Sequence, residues 1–535
     1  MSEDDRAELR KNIDNAIAAL SERIRCLCSS RNTLAGINLL PPEVLSRVFL
    51  LVRDFAFERA PPARRILDWL QVTQVSQRWR QIAIDYSSLW TELSGCNEHL
   101  LQLFLSRSRV SPLSLFVHVY RQRTPLCPLV LQYLYRIQNL RILAKLGHWN
   151  YAVSDLCFPA LELKELEISA EEAYHHNTLS WPPDLLGENA PQLRRLTIRS
   201  FPFLGHLPIF HGLTSFRLEE PIRRTPLSIL LGALGQMPNL RSLTIKDRRD
   251  SAIPHNEVNV TNLPLPIIMH HLEDLTIHSF AFDKSLVLLN SLECPRSPTF
   301  EFVCRFYEPN LVLNSFPRLL QTLQRPYQNG MAPIYALQIG GSPGFNLVGM
   351  DTHRTVCHIL LDCQARGGIP RDSMRNWIQH CHELPLTRVK SLELELERFD
   401  TSDVFKPFGD LQQLTIISLD NDQGGLIEFL LQNFDRHLDR IPEDEENEEL
   451  RYVDLCSEGE SWHDIAFPAL EVIKLHRSSY DIRCHKFWVQ ALTARKRHGF
   501  GPRQIILAGA CGIPAEMMGD IQNIVEVIQA SSLGL

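Results

Sequence analysis

The chain has 535 residues, of which 44% are hydrophobic and 22% charged, and a formal net charge of -7. That length exceeds one compact core and calls for several domains or an extended repeat array. The composition excludes wholesale disorder, and the acidic balance argues against a surface built for nucleic acid. No apolar run reaches the ~18 residues of a membrane span. The opening MSEDDRAELRK lacks the basic-then-apolar pattern of a signal peptide. The 13 cysteines are scattered without a paired framework, which fits a reducing cytoplasmic or nuclear compartment.

Residues 9–34 read as one helix. Ile13, Leu20, Leu27 and Leu34 recur every seven residues, with Ile17 and Ile24 between them. This is a short coiled-coil-like seam. The spacing serves equally a helix packed on its own protein and self-association through residues 9–34.

Gly36 to Leu93 reads as a small unit of three helical pieces. Pro41 and Pro42 suit a helix start, where their missing N–H groups are not needed. Glu43 then sits in the first turn, where a negative charge complements the helix dipole. Val44, Leu45, Val48, Phe49, Leu51 and Val52 follow, an apolar stripe too wide for one small core contact. A polar, proline-bearing connection, Arg53 to Pro62, precedes the apolar set Ile66, Leu67, Leu70, Val72 and Val75. Trp79, Ile82 and Ala83 form the next set, and Ser87 to Trp90 closes the unit. Three short helices cannot bury this much apolar surface among themselves. The surplus predicts cover by the rest of the chain or by a partner.

These residues carry a resemblance. Leu40, Pro41, Glu43, Val44 and Leu45, then Val75, Ser76, Arg78, Trp79 and Arg80, then Leu89 and Trp90 match, in order, the three blocks of an F-box. The connection between the first two helices, Arg53 to Arg65, is longer and more charged than the family pattern. With the phrase RWRQIAIDYSSLW, it resembles the large F-box families of mushroom-forming fungi. The resemblance implies docking on the Skp adaptor of a Skp–cullin–F-box ubiquitin ligase and, through it, on a cullin. The adaptor-binding residues it implies are Leu40, Pro41, Glu43, Val44, Leu45, Val48, Phe49, Leu70, Val72, Val75 and Trp79.

Beyond residue 150 a phrase close to Leu-x-x-Leu-x-Ile recurs. It occurs at Leu163/Leu166/Ile168, Leu193/Leu196/Ile198, Leu213/Phe216/Leu218, Leu240/Leu243/Ile245 and Leu272/Leu275/Ile277. Further copies are Ile334/Leu337/Ile339, Val389/Leu392/Leu394, Leu411/Leu414/Ile416, Leu450/Val453/Leu455 and Leu470/Ile473/Leu475. TFEFVCRF, Thr299 to Phe306, is an unaligned further strand. This is a leucine-rich-repeat rhythm, each phrase a short strand feeding a shared core. Phe201, Pro221, Arg248, Phe280, Leu419 and Ser478 stand where the usual repeat has Asn or Cys. The expected array is therefore irregular; a generic α/β domain with leucine-rich strands is the other reading. Its exposed face would carry Arg195, Arg199, Arg217, Thr244, Lys246 and His278, locally basic and suited to a protein substrate or simply to solvent.

Covalent chemistry has little support. GGSPG, Gly340 to Gly344, follows a strand and fits Gly-x-Ser-x-Gly, but a hydrolase elbow needs a helix directly after Ser342, and no helical pattern follows. Cysteine and histidine lie close at Cys357/His358, His380/Cys381/His382 and Cys484/His485, without paired metal-ligand spacing. No metal, other cofactor, nucleic acid or membrane is expected.

The expected fold is an α+β and α/β repeat chain with five parts. These are an N-terminal helix (1–35), a three-helix F-box (36–93), a connecting helical segment (94–150), an irregular leucine-rich-repeat solenoid (151–510) and a C-terminal capping helix (511–535). The expected role is non-catalytic: a ubiquitin-ligase subunit whose array holds a protein substrate. A repeat-based scaffold outside any ligase shares every feature except the adaptor contact.

Overall fold

The computed structural model describes residues 3–59, 65–93, 98–119, 132–145, 156–171, 184–200, 203, 208–219, 226–246, 266–279, 282–295, 298–306, 312, 316–327, 334–340, 344–352, 354–363, 369, 371–395, 402–420, 425–435, 466–476, 485–508 and 515–530. The chain divides into two compact units, residues 1–202 with 207–213, and residues 203–206 with 214–535.

The first unit opens with the long helix α1 (Glu3–Thr33). Then come α2 (Pro42–Arg59), α3 (Arg65–Leu70), α4 (Gln77–Asp85) and α5 (Glu98–Ser108), with 3-10 turns at Gly36–Leu39, Gln71–Gln74 and Ser87–Trp90. Arg53 to Arg59 are thus the last turns of α2, not the connection expected from their polarity. No helix breaker occurs before Pro61. Arg53 also donates to the Ser88 carbonyl (2.7 Å) and to Thr91 Oγ1 (3.3 Å), which holds its charge against the domain.

The same unit holds four parallel strands in order: β1 (Leu113–Val119), β2 (Ile137–Lys145), β3 (Glu165–Glu171) and β4 (Arg195–Arg199). Leu140, Leu166 and Leu196 lie in register, as do Ile142, Ile168 and Ile198, and all six are buried. Leu163 and Leu193, which open their phrases, are buried just before the strands. In the 94–150 segment α5 is an α-helix, but β1 and β2 add two strands at the front of the sheet. Val117, Ile137, Ile142 and the leucines between them favour a pleated surface packed on one side.

Among its described residues the second unit has twelve strands in the main sheet, in the order β5 (Ser215–Glu219), β6 (Ser242–Lys246), β8 (Asp274–Ser279), β10 (Thr299–Phe306) and β13 (Thr355–Cys363). Next are β12 (Phe345–Met350), β11 (Ala336–Gly340), β14 (Ser391–Glu395), β15 (Ile416–Asp420), β16 (Val472–His476), β17 (Gln504–Ala508) and β18 (Glu526–Ala530). A two-residue ladder, β7 (Ile267–Ile268) with β9 (Leu292–Glu293), stands apart. Strand β12 runs antiparallel to both its neighbours; every other described pair is parallel.

Apolar rows again run across the strands. One links Phe216, Leu243, Leu275, Phe300 and Cys357, and another links Leu337, Leu392, Ile417, Ile473, Ile505 and Val527. Helices pack on this face through aromatic rings. Phe282 of α7 (Phe282–Asn290) meets Phe302 edge-on at 5.5 Å; α6 (Leu227–Leu234) precedes it in the chain. Phe316 of α8 (Phe316–Tyr327) and Trp377 of α9 (Arg371–Gln379) meet Phe345 at 5.4 and 5.5 Å. Helices α10 (Gly425–Asp435), α11 (His485–Arg497) and α12 (Ala515–Gln522) follow.

The strands overturn two further expectations. The phrase at Leu411/Leu414/Ile416 is out of frame: β15 aligns Ile417 and Leu419 with Leu392 and Leu394, so Leu414 is the lead-in residue. The end of the chain is not one helix, because α12 stops at Gln522 and β18 pairs in parallel with β17. Val525, Val527 and Ile528 explain the switch, since branching at Cβ favours the extended chain. The phrase at Leu450 lies outside the described residues, as does Cys484.

Candidate docking face of the helical domain

Helix α2 has two apolar sides. One side builds the domain's own core. Leu45 and Phe49 are 0% exposed, and the Phe49 ring sits 5.1 Å from that of Trp79. Ser46, between them on this side, donates back to the Pro42 carbonyl at 2.8 Å, so its burial costs no unpaired hydroxyl.

The pieces around it are fixed by local bonds. Ser76 caps α4, its Oγ accepting from the Trp79 backbone N–H at 3.1 Å. Trp79 Nε1 donates to Asn38 Oδ1 at 2.7 Å. Arg78 donates to the carbonyls of Asn38 and Leu40, the latter at 2.7 Å. These bonds clamp the segment before α2 onto α4, which gives Ser76, Arg78 and Trp79 structural reasons to stand together. Trp69, Trp90 and Phe104 form an edge-on triad at 5.1 to 5.7 Å. Trp90 Nε1 donates to the Ala83 carbonyl (2.6 Å), and the Arg107 guanidinium lies 4.2 Å over its ring.

The other side of α2 faces solvent. Val44, Leu51 (69% exposed), Val52 and Phe55 are exposed there, with Val48 half-buried among them. Ile37 and Leu39 (79% exposed) extend the patch before the helix, and Val75 is exposed on the turn before α4. Val44, Val48, Leu51 and Phe55 recur at helical spacing, so they form one line.

The residues implied by resemblance therefore divide. Pro41, Glu43, Val44 and Val75 are exposed; Leu40, Val48, Leu70 and Trp79 are half-buried; Leu45, Phe49 and Val72 are interior. Leu39, Leu51, Val52 and Phe55 were absent from that set. The spacing from Val44 was the signal that could have found the last of them.

A family model described as F-box-like matches residues 37–95. No curated protein matches the chain. The helical domain is thus F-box-like, a non-catalytic adaptor module of the kind that generally binds the Skp adaptor.

The polar strand faces are charge-paired rather than basic. In the first unit Arg195 pairs with Glu165 and Arg141 with Glu167 (3.3 Å); Arg199 is exposed. In the second, Arg217 and Lys246 share Glu219 at 3.4 and 3.7 Å. His278 Nε2 lies 3.2 Å from Glu301, and Arg305 pairs with Asp362 at 3.3 Å. Thr244 is buried. Each acid sits on the same or a neighbouring strand. Burial holds the His278 pKa below the ordinary histidine value, outweighing the hydrogen bond to Glu301 that raises it.

Ser342 lies outside the described residues, but its surroundings do not form an elbow. The motif's outer glycines end β11 and precede β12, an antiparallel pair, so a strand follows rather than a helix. Both glycines have a packing reason. A methyl on Gly340 would overlap Glu395 Cβ, and one on Gly344 would come within 2.9 Å of the Leu361 carbonyl. Among the described residues, no group of three or more His, Cys, Asp or Glu could hold a metal ion, and no helix is long and apolar enough to cross a membrane.

Proposed function

We propose that the chain is a substrate-recognition subunit of a Skp–cullin–F-box ubiquitin ligase. The solvent-facing line Val44, Leu51 and Phe55, with the half-buried Val48 among them and with Leu39 and Val75, docks on the Skp adaptor. The two-sidedness of α2 is the observation that carries this reading. A helix that already fills its own core still presents four further apolar side chains in line, which is the geometry of helix packing between chains. The strand array is read as an irregular leucine-rich-repeat solenoid whose polar face holds a protein substrate, in the cytoplasm or nucleus. Its parallel strands, joined by helices and sharing apolar rows, support the repeat reading. The chain itself performs no covalent step; it raises the effective concentration of the substrate near the conjugating enzyme.

The test is calorimetry of the full chain with a purified Skp adaptor. Leu39→Asp and Leu51→Asp each weaken binding at least tenfold, about 1.4 kcal/mol, because a charge enters an apolar interface. Their far-ultraviolet circular dichroism stays native, since both side chains are largely exposed. Unchanged affinity in both variants would remove this face from the interface. No binding by the native chain leaves a scaffold outside any ligase.

A further inference from the structure

Helix α1 offers an apolar seam that the domain does not use. It buries none of its residues. Leu9, Ile13, Ile17, Leu20, Ile24 and Leu27 are each 51 to 64% exposed. Their spacings of four, four, three, four and three residues keep them on one line. The helix is tied to the domain near its C-terminal end, where Asn32 Nδ2 donates to the Val75 carbonyl (3.4 Å) and Asn38 donates to the Asn32 carbonyl. The rest of α1, about 40 Å at 1.5 Å per residue, runs clear of the domain core.

We propose that the α1 seam of a second copy of this chain covers this seam, in an antiparallel two-stranded coiled coil. This surface and its occupant are independent of the adaptor reading. With Ile13, Leu20 and Leu27 at one core position of the heptad, Ile17 and Ile24 occupy the other. Antiparallel pairing sets the two core positions against each other, so branched Ile packs mainly on Leu.

Charge selects both the occupant and the direction. Residues 3–14 hold five acidic and three basic side chains, a net of -2; residues 15–33 hold one acidic and three basic, a net of +2. One copy therefore carries the complement of another laid head to tail. A parallel pair would face like with like, including Arg10 on Arg10 and Arg31 on Arg31 at core positions. Size agrees as well. A stable interface covers about 1,000 Å² or more, and six half-exposed aliphatic side chains per copy supply its apolar centre.

The experiment is sedimentation equilibrium of the full chain over the micromolar range. The native chain is expected to be dimeric. Ile17→Asp combined with Ile24→Asp raises the dissociation constant about 100-fold or more. It leaves circular dichroism native, because α1 contributes nothing to the core. Asp4→Asn with Asp5→Asn weakens the dimer several-fold, because the head-to-tail attraction is lost; a strengthened dimer would mean parallel helices and overturn the arrangement. A chain that stays monomeric throughout overturns the proposal, as does a dimer that survives Ile17→Asp with Ile24→Asp. Should α1 amides gain protection from exchange only when the Skp adaptor is added, the seam belongs to that partner and the proposal falls.

Discussion

Side chains a few positions apart on α2 carry opposite consequences. Phe49 is wholly interior and Leu51 mostly open. Phe49→Ala removes a ring from a small core and costs about 3–5 kcal/mol, read as a lower urea midpoint of the tryptophan fluorescence transition. Adaptor binding then falls only as the domain unfolds, unlike Leu51→Asp. Arg495 of α11 is a second such position. It is buried and donates to the carbonyls of Ala466 (2.8 Å), Phe467 (2.7 Å) and Phe500 (3.2 Å). Burial brings its pKa down to about 10, so it stays charged at neutral pH. Arg495→Ala strands these acceptors and costs about 2–3 kcal/mol, measurable as reduced amide protection in β16 and β17. His278 sets a pH dependence. Its pKa is lowered on folding, so the unfolded chain binds the proton more readily just below the ordinary histidine value. Stability therefore falls as pH drops below about 6.5. Replacing His278 with Asn flattens that part of a urea-midpoint-versus-pH curve, with Glu301, His358, Lys246 and Arg305 left as the charged and titratable neighbours.

Elements were legible where spacing was unambiguous. The lead-in leucines and strand pairs at residues 163, 193, 213, 240 and 272 form buried rows as their period requires, except that Ile245 is half-buried. At Leu411 two overlapping frames satisfy the same spacing, Leu411/Leu414/Ile416 and Leu414/Ile417/Leu419. Only lateral register against β14 decides between them, and register is a property of the sheet. The polar-face residues were found, but their acidic partners sit across the strands, so the face looked basic in sequence. On α2, the surplus of apolar residues was plain, but which of them turn inward depends on where Trp79 packs. The antiparallel β12 was hidden for another reason: it breaks the repeat. On its other side β11 comes close to β14 at Gly340. Gly340→Ala forces Glu395 aside and costs about 1–3 kcal/mol, expected as faster amide exchange across β11 and β14 with the helical domain unaffected.

At the scale of the molecule the second unit is close to one-dimensional, each strand bonded only to the next. Stability in such an array is mainly a sum of neighbour terms. Exchange should therefore be slowest around β10 and β13, which share a long, buried register, and fastest at β18, whose outer edge is unpaired in the sheet order and whose Ile528 is partly exposed. Uniform protection across the sheet would contradict this. The open side of α2 has a consequence of another kind. On the docking reading, a copy without its adaptor shows water a greasy stripe resembling that of a misfolded chain. Quality control would act on such orphans first. Made alone, the protein should be short-lived and prone to clump; made together with its adaptor, it should accumulate only up to the adaptor's own amount. The quantity of one subunit would then set the supply of the other.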